Sequence, residues 1–416
     1  MSLAAFALLA AAPLFSVGLA PIDDTATPAK LLSHKTCAAC HPGQAREWQH
    51  SRHGLAWKNA IFQREYKQQP LEWCVHCHAP LKSQLTEVRA GGGALADEGV
   101  TCAVCHVRDG RLIARRKREG SPHDTQVRAD FGSAEFCGGC HQFNFPLFGS
   151  DGQVSGYSPF PMQNTVAQFR AGPGKPTAGG PGPHTGPHTG PHTGDKAGAD
   201  KRCGDCHARS PFGHTFPGAH DPGMLRLALD WSLCREGDSG GGGGTLVLTL
   251  RNRGAGHNVP TGDVHRHIVA RLWRSSHPER LYEYSLTRRY KPVPGGGKRT
   301  VADTTLPPGA TRTLRIKPSE LGAQAPVATT TTTTTTAATA TTLPPPRGPA
   351  GQATPAADAA PARDPLRFEL RYVYTIDEFP FRGHELAEPT YEVITSEQLT
   401  PAALPACAAP ARPPTR

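Results

Sequence analysis

One short arrangement of cysteine and histidine occurs five times in this chain. Each copy has two cysteines three positions apart and a histidine directly after the second cysteine. The copies are Cys37-Ala-Ala-Cys40-His41, Cys74-Val-His-Cys77-His78, Cys102-Ala-Val-Cys105-His106, Cys137-Gly-Gly-Cys140-His141 and Cys203-Gly-Asp-Cys206-His207. In this arrangement two thiols can bond the vinyl groups of a porphyrin while the histidine coordinates its iron. Composition alone predicts roughly 0.02 such strings in the chain, so the sequence predicts five covalently attached haem c groups.

Zinc is the competing interpretation of these motifs, because paired cysteines with a histidine also bind that metal. A structural zinc site combines two half-sites, whereas five copies leave one half-site without a partner. Every cysteine pair in this chain is also followed at once by histidine. The pattern therefore favours haem over zinc or disulfides.

Two cysteines lie outside the motifs, since ten of the 12 cysteines belong to them. Cys234 and Cys407 can form a disulfide in an oxidising compartment or remain free thiols, and both alternatives stay open.

The first 20 residues are apolar and small, and end in Ser16-Val-Gly-Leu-Ala20. This composition is typical of a signal peptide, residues 1–20, although the usual basic residues before it are missing. A transmembrane anchor is the alternative, but Pro13 interrupts the stretch, and no later segment approaches the ~18 unbroken apolar residues of a membrane span. We expect a periplasmic or otherwise exported protein, with no stable membrane insertion after the signal is removed.

The formal net charge of +10 would ordinarily indicate nucleic acid or anionic surfaces as partners. Five haems would bring about ten propionate charges, which offset this excess. No basic stripe with stacking aromatic residues appears. We therefore expect redox partner proteins, both donor and acceptor, and no nucleic acid.

The five motifs predict a cytochrome domain over residues 31–225. Five haems in this stretch leave few residues for each haem. These residues cannot enclose each haem in a separate apolar core, so the haems must pack on one another within helices and loops. The clearest helix pattern covers residues 42–66, with proline in its first turn. Residues 182–194 repeat Pro-His-Thr-Gly and predict a low-complexity loop.

The apolar pattern changes to a period of two from Leu225 onward, which indicates strands. Several such strands separated by Gly and Pro turns predict an antiparallel β-sandwich domain over residues 226–400. The threonine-rich residues 325–364 predict a disordered insertion, and residues 401–416 a flexible tail. The predicted fold class is therefore mixed, with a mainly α and loop multihaem domain followed by a β-sandwich.

The sixth ligand of each iron decides between electron transfer and reactivity. The chain has three methionines, Met1, Met162 and Met224, but 15 of its 20 histidines lie outside the proximal positions. Most haems are therefore predicted to be bis-histidine, low-spin and of low potential. The candidate distal ligands are His53, His123, His214 and His220, followed by His34 and His76, while His257, His265 and His267 could reach a haem only across the domain boundary. The sequence assigns no catalytic residue.

These residues resemble the multihaem c-type cytochromes, a family that includes the nitrifier tetrahaem electron-shuttle cytochrome and the haem core of hydroxylamine oxidoreductase. The resemblance covers about residues 31–225. It rests on Glu47-Trp48 and Ser51-Arg52-His53 after the first motif, Trp73 to Pro80, Glu98 to His106 and Phe136 to Gln142. It implies stacked haem pairs, redox traffic in the periplasm and distal histidines from neighbouring segments, with His53, His123 and His214 at matching places. His257-Asn-Val-Pro-Thr-Gly262 also resembles a segment of β-domains attached to such cytochromes, although a plain Pro-Gly turn explains it equally well.

The leading functional hypothesis is electron transfer between redox partners through a chain of haems. The alternative is a multihaem oxidoreductase that acts on a small nitrogen or sulfur compound at one haem with an open axial position. A third hypothesis makes the chain a subunit of a respiratory complex, with the β-domain as its binding module.

Overall fold

The computed structural model describes residues 20–172, 202–208, 213–237, 244–294, 297–321, 364–374 and 391–407. Four predictions fall largely or wholly outside these residues. They are the signal peptide (residues 1–20, of which Ala20 is described), the loop at 182–194, the insertion at 325–364 (of which Asp364 is described) and the tail beyond residue 407.

The first half of the described chain consists mainly of short helices. The α-helices are α1 (His34–Ala38), α2 (Pro42–Gln49), α3 (Ala60–Gln68), α4 (Glu72–His78), α5 (Lys82–Arg89), α6 (Cys102–His106), α7 (Ala134–His141), α8 (Thr165–Ala171), α9 (Cys203–His207) and α10 (Pro222–Ala228). Four of the five motifs lie within a helix, and the first begins in α1. Because residues three apart share one helix face, each motif directs both thiols to the same side.

Five strands accompany these helices where the sequence predicts helices and loops. They are β1 (Val107–Arg108), β2 (Arg111–Ala114), β3 (Gln126–Val127), β4 (Gln142–Phe148) and β5 (Val154–Asn164). The first three form one small sheet, in which β2 pairs in parallel with β3, and β4 pairs antiparallel with β5.

The single helix predicted over residues 42–66 is wrong in its middle. The structure has α2 and α3 separated by a turn, because side chains there compete for the backbone groups that a helix would use. The Ser51 hydroxyl donates to the Trp48 carbonyl at 2.7 Å. Asn59 then accepts the Phe62 amide hydrogen at 2.9 Å and begins α3 as its N-cap.

The second half forms open antiparallel sheets, as the period of two predicts. The strands are β6 (Leu229–Glu236), β7 (Thr245–Asn252), β8 (His267–Arg274), β9 (His277–Leu286), β10 (Arg288–Pro292), β11 (Lys298–Asp303), β12 (Thr311–Ile316), β13 (Leu366–Val373) and β14 (Tyr391–Leu399). The main sheets have the orders β12-β7-β6 and β14-β13-β8-β9, and β10 pairs with β11.

Apolar burial differs sharply between the two halves. Both main sheets contribute to one buried cluster, whose fully buried members include Leu248, Leu250 and Phe368. The first half contains two small clusters, built around Leu81 and around Val75. The β-half therefore has an ordinary side-chain core, whereas the motif-bearing half buries little aliphatic surface of its own.

A disulfide joins Cys234 of β6 to Cys407, the last described residue. The Arg235 amide also donates to the Pro405 carbonyl at 2.9 Å, and the Cys407 amide donates to the Arg235 carbonyl at 3.0 Å. Residues 401–407 are thus fixed to the edge of β6, in contrast to the flexible tail predicted for this stretch.

In the part of the chain that the structure describes, no helix has the length and apolar character needed to cross a bilayer.

Candidate haem-binding sites

The five motifs converge in space, with thiols of different motifs next to one another. The contacting pairs are Cys37 with Cys102, Cys77 with Cys140, and Cys137 with Cys203. The Gly204 amide also donates to the Gly132 carbonyl at 3.1 Å, which links the segments of the fourth and fifth motifs. The haem attachment points therefore lie close enough for neighbouring macrocycles to touch.

Four of the five proximal histidines face a second histidine at nearly the same separation. The ring centres are 6.2 Å apart for His41 and His123, and 6.3 Å apart for His141 and His53, His106 and His214, and His207 and His257. The same separation in four separate pairs indicates that all four bind the same kind of group.

This separation fits an iron between the two rings. A metal–imidazole bond is about 2.0 Å long and the ring centre lies about 1.1 Å from its nitrogen, so two axial imidazoles on one metal are about 6.2 Å apart, centre to centre. Zinc fits less well, because a structural zinc site needs about four protein ligands. Among the described residues, no three His, Cys, Asp or Glu side chains form a group that could hold a metal ion. Pairs of histidines are what a porphyrin iron requires, since the macrocycle supplies the other four nitrogens.

Hydrogen bonds set the ring orientation of several of these histidines. The Nδ1–H groups donate to backbone carbonyls: His78 to Ala56 at 2.8 Å, His106 to Ile113 at 3.1 Å, His207 to Pro217 at 2.7 Å and His257 to Asn258 at 2.9 Å. Because a carbonyl can only accept, Nδ1 carries the proton and the Nε2 lone pair stays available for iron.

Burial keeps the imidazoles in the neutral form that coordinates metals. Burial lowers the pKa of His53 to about 4, with the nearby His141 and His207 lowering it further. Burial also lowers the pKa of His257 to about 4, against the opposite effect of its bond to the Asn258 carbonyl. Both rings are therefore uncharged at neutral pH.

His53 is positioned by the segment before the third motif. The Val100 amide donates to the His53 carbonyl at 2.9 Å, and the Trp48 indole donates to the Val100 carbonyl at 2.7 Å. Gly99 has a φ of 61°, and a Cβ there would lie 2.8 Å from the His53 carbonyl oxygen. Glycine is thus required by both the backbone conformation and the close approach.

A buried carboxylate connects the first and third motifs. Glu98 accepts from the Ser33 hydroxyl at 2.5 Å, the His34 amide at 2.8 Å and the Thr101 hydroxyl at 2.8 Å. The Nδ1 of His34 lies 3.0 Å from the same carboxylate. Glu98 therefore joins the chain just before Cys37 to the chain just before Cys102.

His214 and His257 are positioned by contacts far away in sequence. Glu47 of α2 accepts the His214 amide hydrogen at 2.9 Å. The Asn252 side chain of β7 donates to the His257 carbonyl at 2.9 Å. The fifth motif thus faces a histidine that belongs to the β-half of the molecule.

The second motif differs from the other four. The ring of His78 stacks on Phe62 with ring centres 3.6 Å apart and an angle of 6° between the planes. Within the described ranges, no histidine ring lies at the separation from His78 that the other four pairs show.

The structure places His220 away from the proximal histidines. Its ring stacks on Tyr374 at 3.8 Å, and its Nδ1 lies 2.7 Å from the Arg52 guanidinium. Of the four leading distal candidates, His53, His123 and His214 thus lie opposite a proximal histidine, whereas His220 packs on the β-half. His34 lies against Trp48 and Glu98.

The ranking of distal candidates from the sequence places His257 too low. The sequence signal that could have raised its rank is the segment His257-Asn-Val-Pro-Thr-Gly262, which resembles a segment of haem-associated β-domains. A plain Pro-Gly turn explains the same residues equally well.

Comparisons with known proteins give a family match and a structural match. A sequence model of the family described as "Cytochrome c554 and c-prime" matches residues 36–107, which include the first three motifs. A search of curated proteins finds no significant match. A similar solved structure is the crystal structure of a penta-heme cytochrome c552 from Thermochromatium tepidum, with a TM-score of 0.53 and 18% sequence identity. The match covers 88% of this chain and 98% of that chain.

The family match over residues 36–107 supports a multihaem c-type cytochrome with covalently bound haem c. At 18% identity the structural likeness concerns the fold. Neither comparison identifies the nitrifier shuttle or hydroxylamine oxidoreductase in particular, so that finer resemblance stays a prediction.

Proposed function

We propose that this chain is a periplasmic five-haem cytochrome that transfers electrons between redox partners. The observation that carries the proposal is the set of four histidine pairs with ring centres 6.2 to 6.3 Å apart, each containing the histidine of a different motif. Haem c bound at these motifs supplies an iron that gains and loses one electron. Two protein ligands on an iron leave no position for a substrate, which favours electron transfer over catalysis at these four haems.

The contacts between motifs suggest a branched path. The first motif touches the third through Cys37 and Cys102. Cys105 of the third motif lies near Cys140 of the fourth, and Cys140 contacts Cys77 of the second. The fourth motif also contacts the fifth, as described above. We therefore place the fourth haem at a branch point, joined to the second, third and fifth haems.

Bis-histidine coordination would give these four haems low potentials, because methionine as sixth ligand would raise them. The histidine pairs that would hold the four haems are His41 with His123, His106 with His214, His141 with His53, and His207 with His257.

The β-half acts in this proposal as a scaffold and docking module. Its two main sheets share one buried cluster, which supports the β-sandwich that we propose for this half, and its segment after β7 supplies His257. A partner complex in the periplasm could bind this half while the haem half carries the electrons.

One observation favours a second candidate function. Because no histidine among the described residues faces His78, the haem on the second motif is the candidate for an open axial position. An oxidoreductase that acts on a small nitrogen or sulfur compound would use this haem, with the other four delivering or removing electrons.

Electron paramagnetic resonance of the purified ferric holoprotein, together with a haem count, tests both candidates. We expect five haems per chain, about four of them low-spin with bis-histidine signals and low midpoint potentials. Carbon monoxide binding to about one haem per chain of the reduced protein, or nitrite binding to about one haem of the ferric protein, would support the second candidate. Colourless protein, or a majority of high-spin haems, would overturn the main proposal, and five low-spin haems that bind no added ligand would exclude the second.

A further inference from the structure

The distal histidine of the first haem lies on a strongly basic surface loop. The loop connects β2 to β3 and contains four consecutive cationic residues, Arg115, Arg116, Lys117 and Arg118. All four are exposed. His123 follows them and faces His41. We call β2 and this loop together, residues 111–125, the basic strap.

Several positive charges of the basic strap form no ion pair. Arg115 pairs with Asp205, and Lys117 pairs with Asp124. For Arg111, Arg116 and Arg118, by contrast, no ion pair occurs within the described ranges, and all three are exposed. The strap carries one further acid, Glu119, so its excess charge stays positive. These three exposed cations are therefore available to a partner.

The basic strap also borders the first haem-binding motif. His123 belongs to the strap, and its ring centre lies 6.2 Å from that of His41. A partner bound at the strap would therefore lie next to the proposed first haem.

The chemistry of the strap selects one kind of partner. It contains no Phe, Tyr or Trp to stack on bases, which disfavours a nucleic acid. Redox encounters use small interfaces, and complementary charge supplies much of their speed and specificity.

The following inference rests on the proposed function. We propose that the basic strap is the docking surface for a redox protein with an acidic face, and that this partner exchanges electrons with the haem on His41. The acidic face meets Arg111, Arg116 and Arg118, while His123 keeps the first iron beneath the contact.

Stopped-flow kinetics of the holoprotein test this assignment, with a reduced acidic flavodoxin as the electron donor. The variant is Arg116→Glu with Arg118→Glu. The matched control is Lys291→Glu with Arg299→Glu, an exposed cross-strand pair on β10 and β11 with the same change in net charge. At low salt we expect the second-order rate constant of the strap variant to fall about tenfold or more, with a flatter salt dependence, and the control to fall much less.

Equal losses in both variants would mean that only net charge matters, and would overturn the proposal, as would unchanged rates in both. Vesicles of anionic phospholipid provide the remaining arm. If wild-type protein sediments with them, the strap variant does not, and flavodoxin rates are the same for both, the strap binds lipid and the proposal is wrong. Haem content and reduction by dithionite report on the proposed function separately, because neither depends on docking.

Discussion

In the proposed function single histidines decide the chemistry, because a second histidine on an iron would leave that iron no free coordination position. The motif histidines could be read directly from the sequence, since attachment chemistry fixes their spacing. The distal partners could be ranked but not paired, because His257 and His207 meet only after the two halves of the chain pack together.

The residue-scale prediction compares two half-buried histidines, one that faces a motif histidine and one that does not. Replacing His257 by alanine removes a ring that faces His207, and we expect about one additional high-spin haem per chain in the ferric spectrum. His220→Ala is the matched control, because His220 stacks on Tyr374 and faces no proximal histidine. An unchanged spectrum in His257→Ala, or an equal change in His220→Ala, would contradict the proposed axial pair.

At the scale of elements, regular apolar patterns could be predicted from the sequence, but the breaks within helices and strands could not. Helices around the motifs were expected only in general terms, whereas the strands of the β-half follow from alternating leucines. The break between α2 and α3 depends on Ser51 and Asn59 competing for backbone hydrogen bonds, which the apolar pattern of residues 42–66 does not reveal. The hairpin of β4 and β5 was also missed, since prolines and aromatic residues replace simple alternation there.

The element-scale prediction concerns the carboxylate that joins the first and third motifs. Glu98→Ala leaves the buried donors of Ser33, His34 and Thr101 without their acceptor, and we expect the free energy of unfolding to fall by about 2–4 kcal/mol. Guanidinium unfolding followed by circular dichroism measures this change. Asp97→Ala is the control, because Asp97 lies exposed on the same turn, and a loss as large in that variant would show that Glu98 has no special role.

At the scale of the whole molecule, two kinds of interior coexist. The β-half is held by a continuous aliphatic cluster, as expected from its strand pattern. The haem half has small apolar clusters, as the limited chain length per haem implied. Sequence indicated this division because composition and periodicity change near residue 225, but it could not show how the two halves contact each other.

The Cys234–Cys407 disulfide gives a prediction at this scale, because it closes a loop with a sequence separation of 173 residues. Replacing both cysteines by serine should lower the stability of the β-half by about 2–5 kcal/mol and leave the haem content unchanged. Guanidinium unfolding of the variant and of reduced wild-type protein should give the same midpoint. Ser232→Ala, an exposed change on the same strand, is the control, and a double-serine variant as stable as oxidised wild type would contradict the expectation.

The origin of His257 in the β-half has a consequence for biogenesis. In the proposed function the chain is exported and carries haem, and Cys203 and Cys206 would leave the export channel before His257 does. The fifth haem would then lack its proposed histidine partner until the β-half folds. Assembly would therefore have an inherent order, in which folding of the β-half completes the fifth haem site.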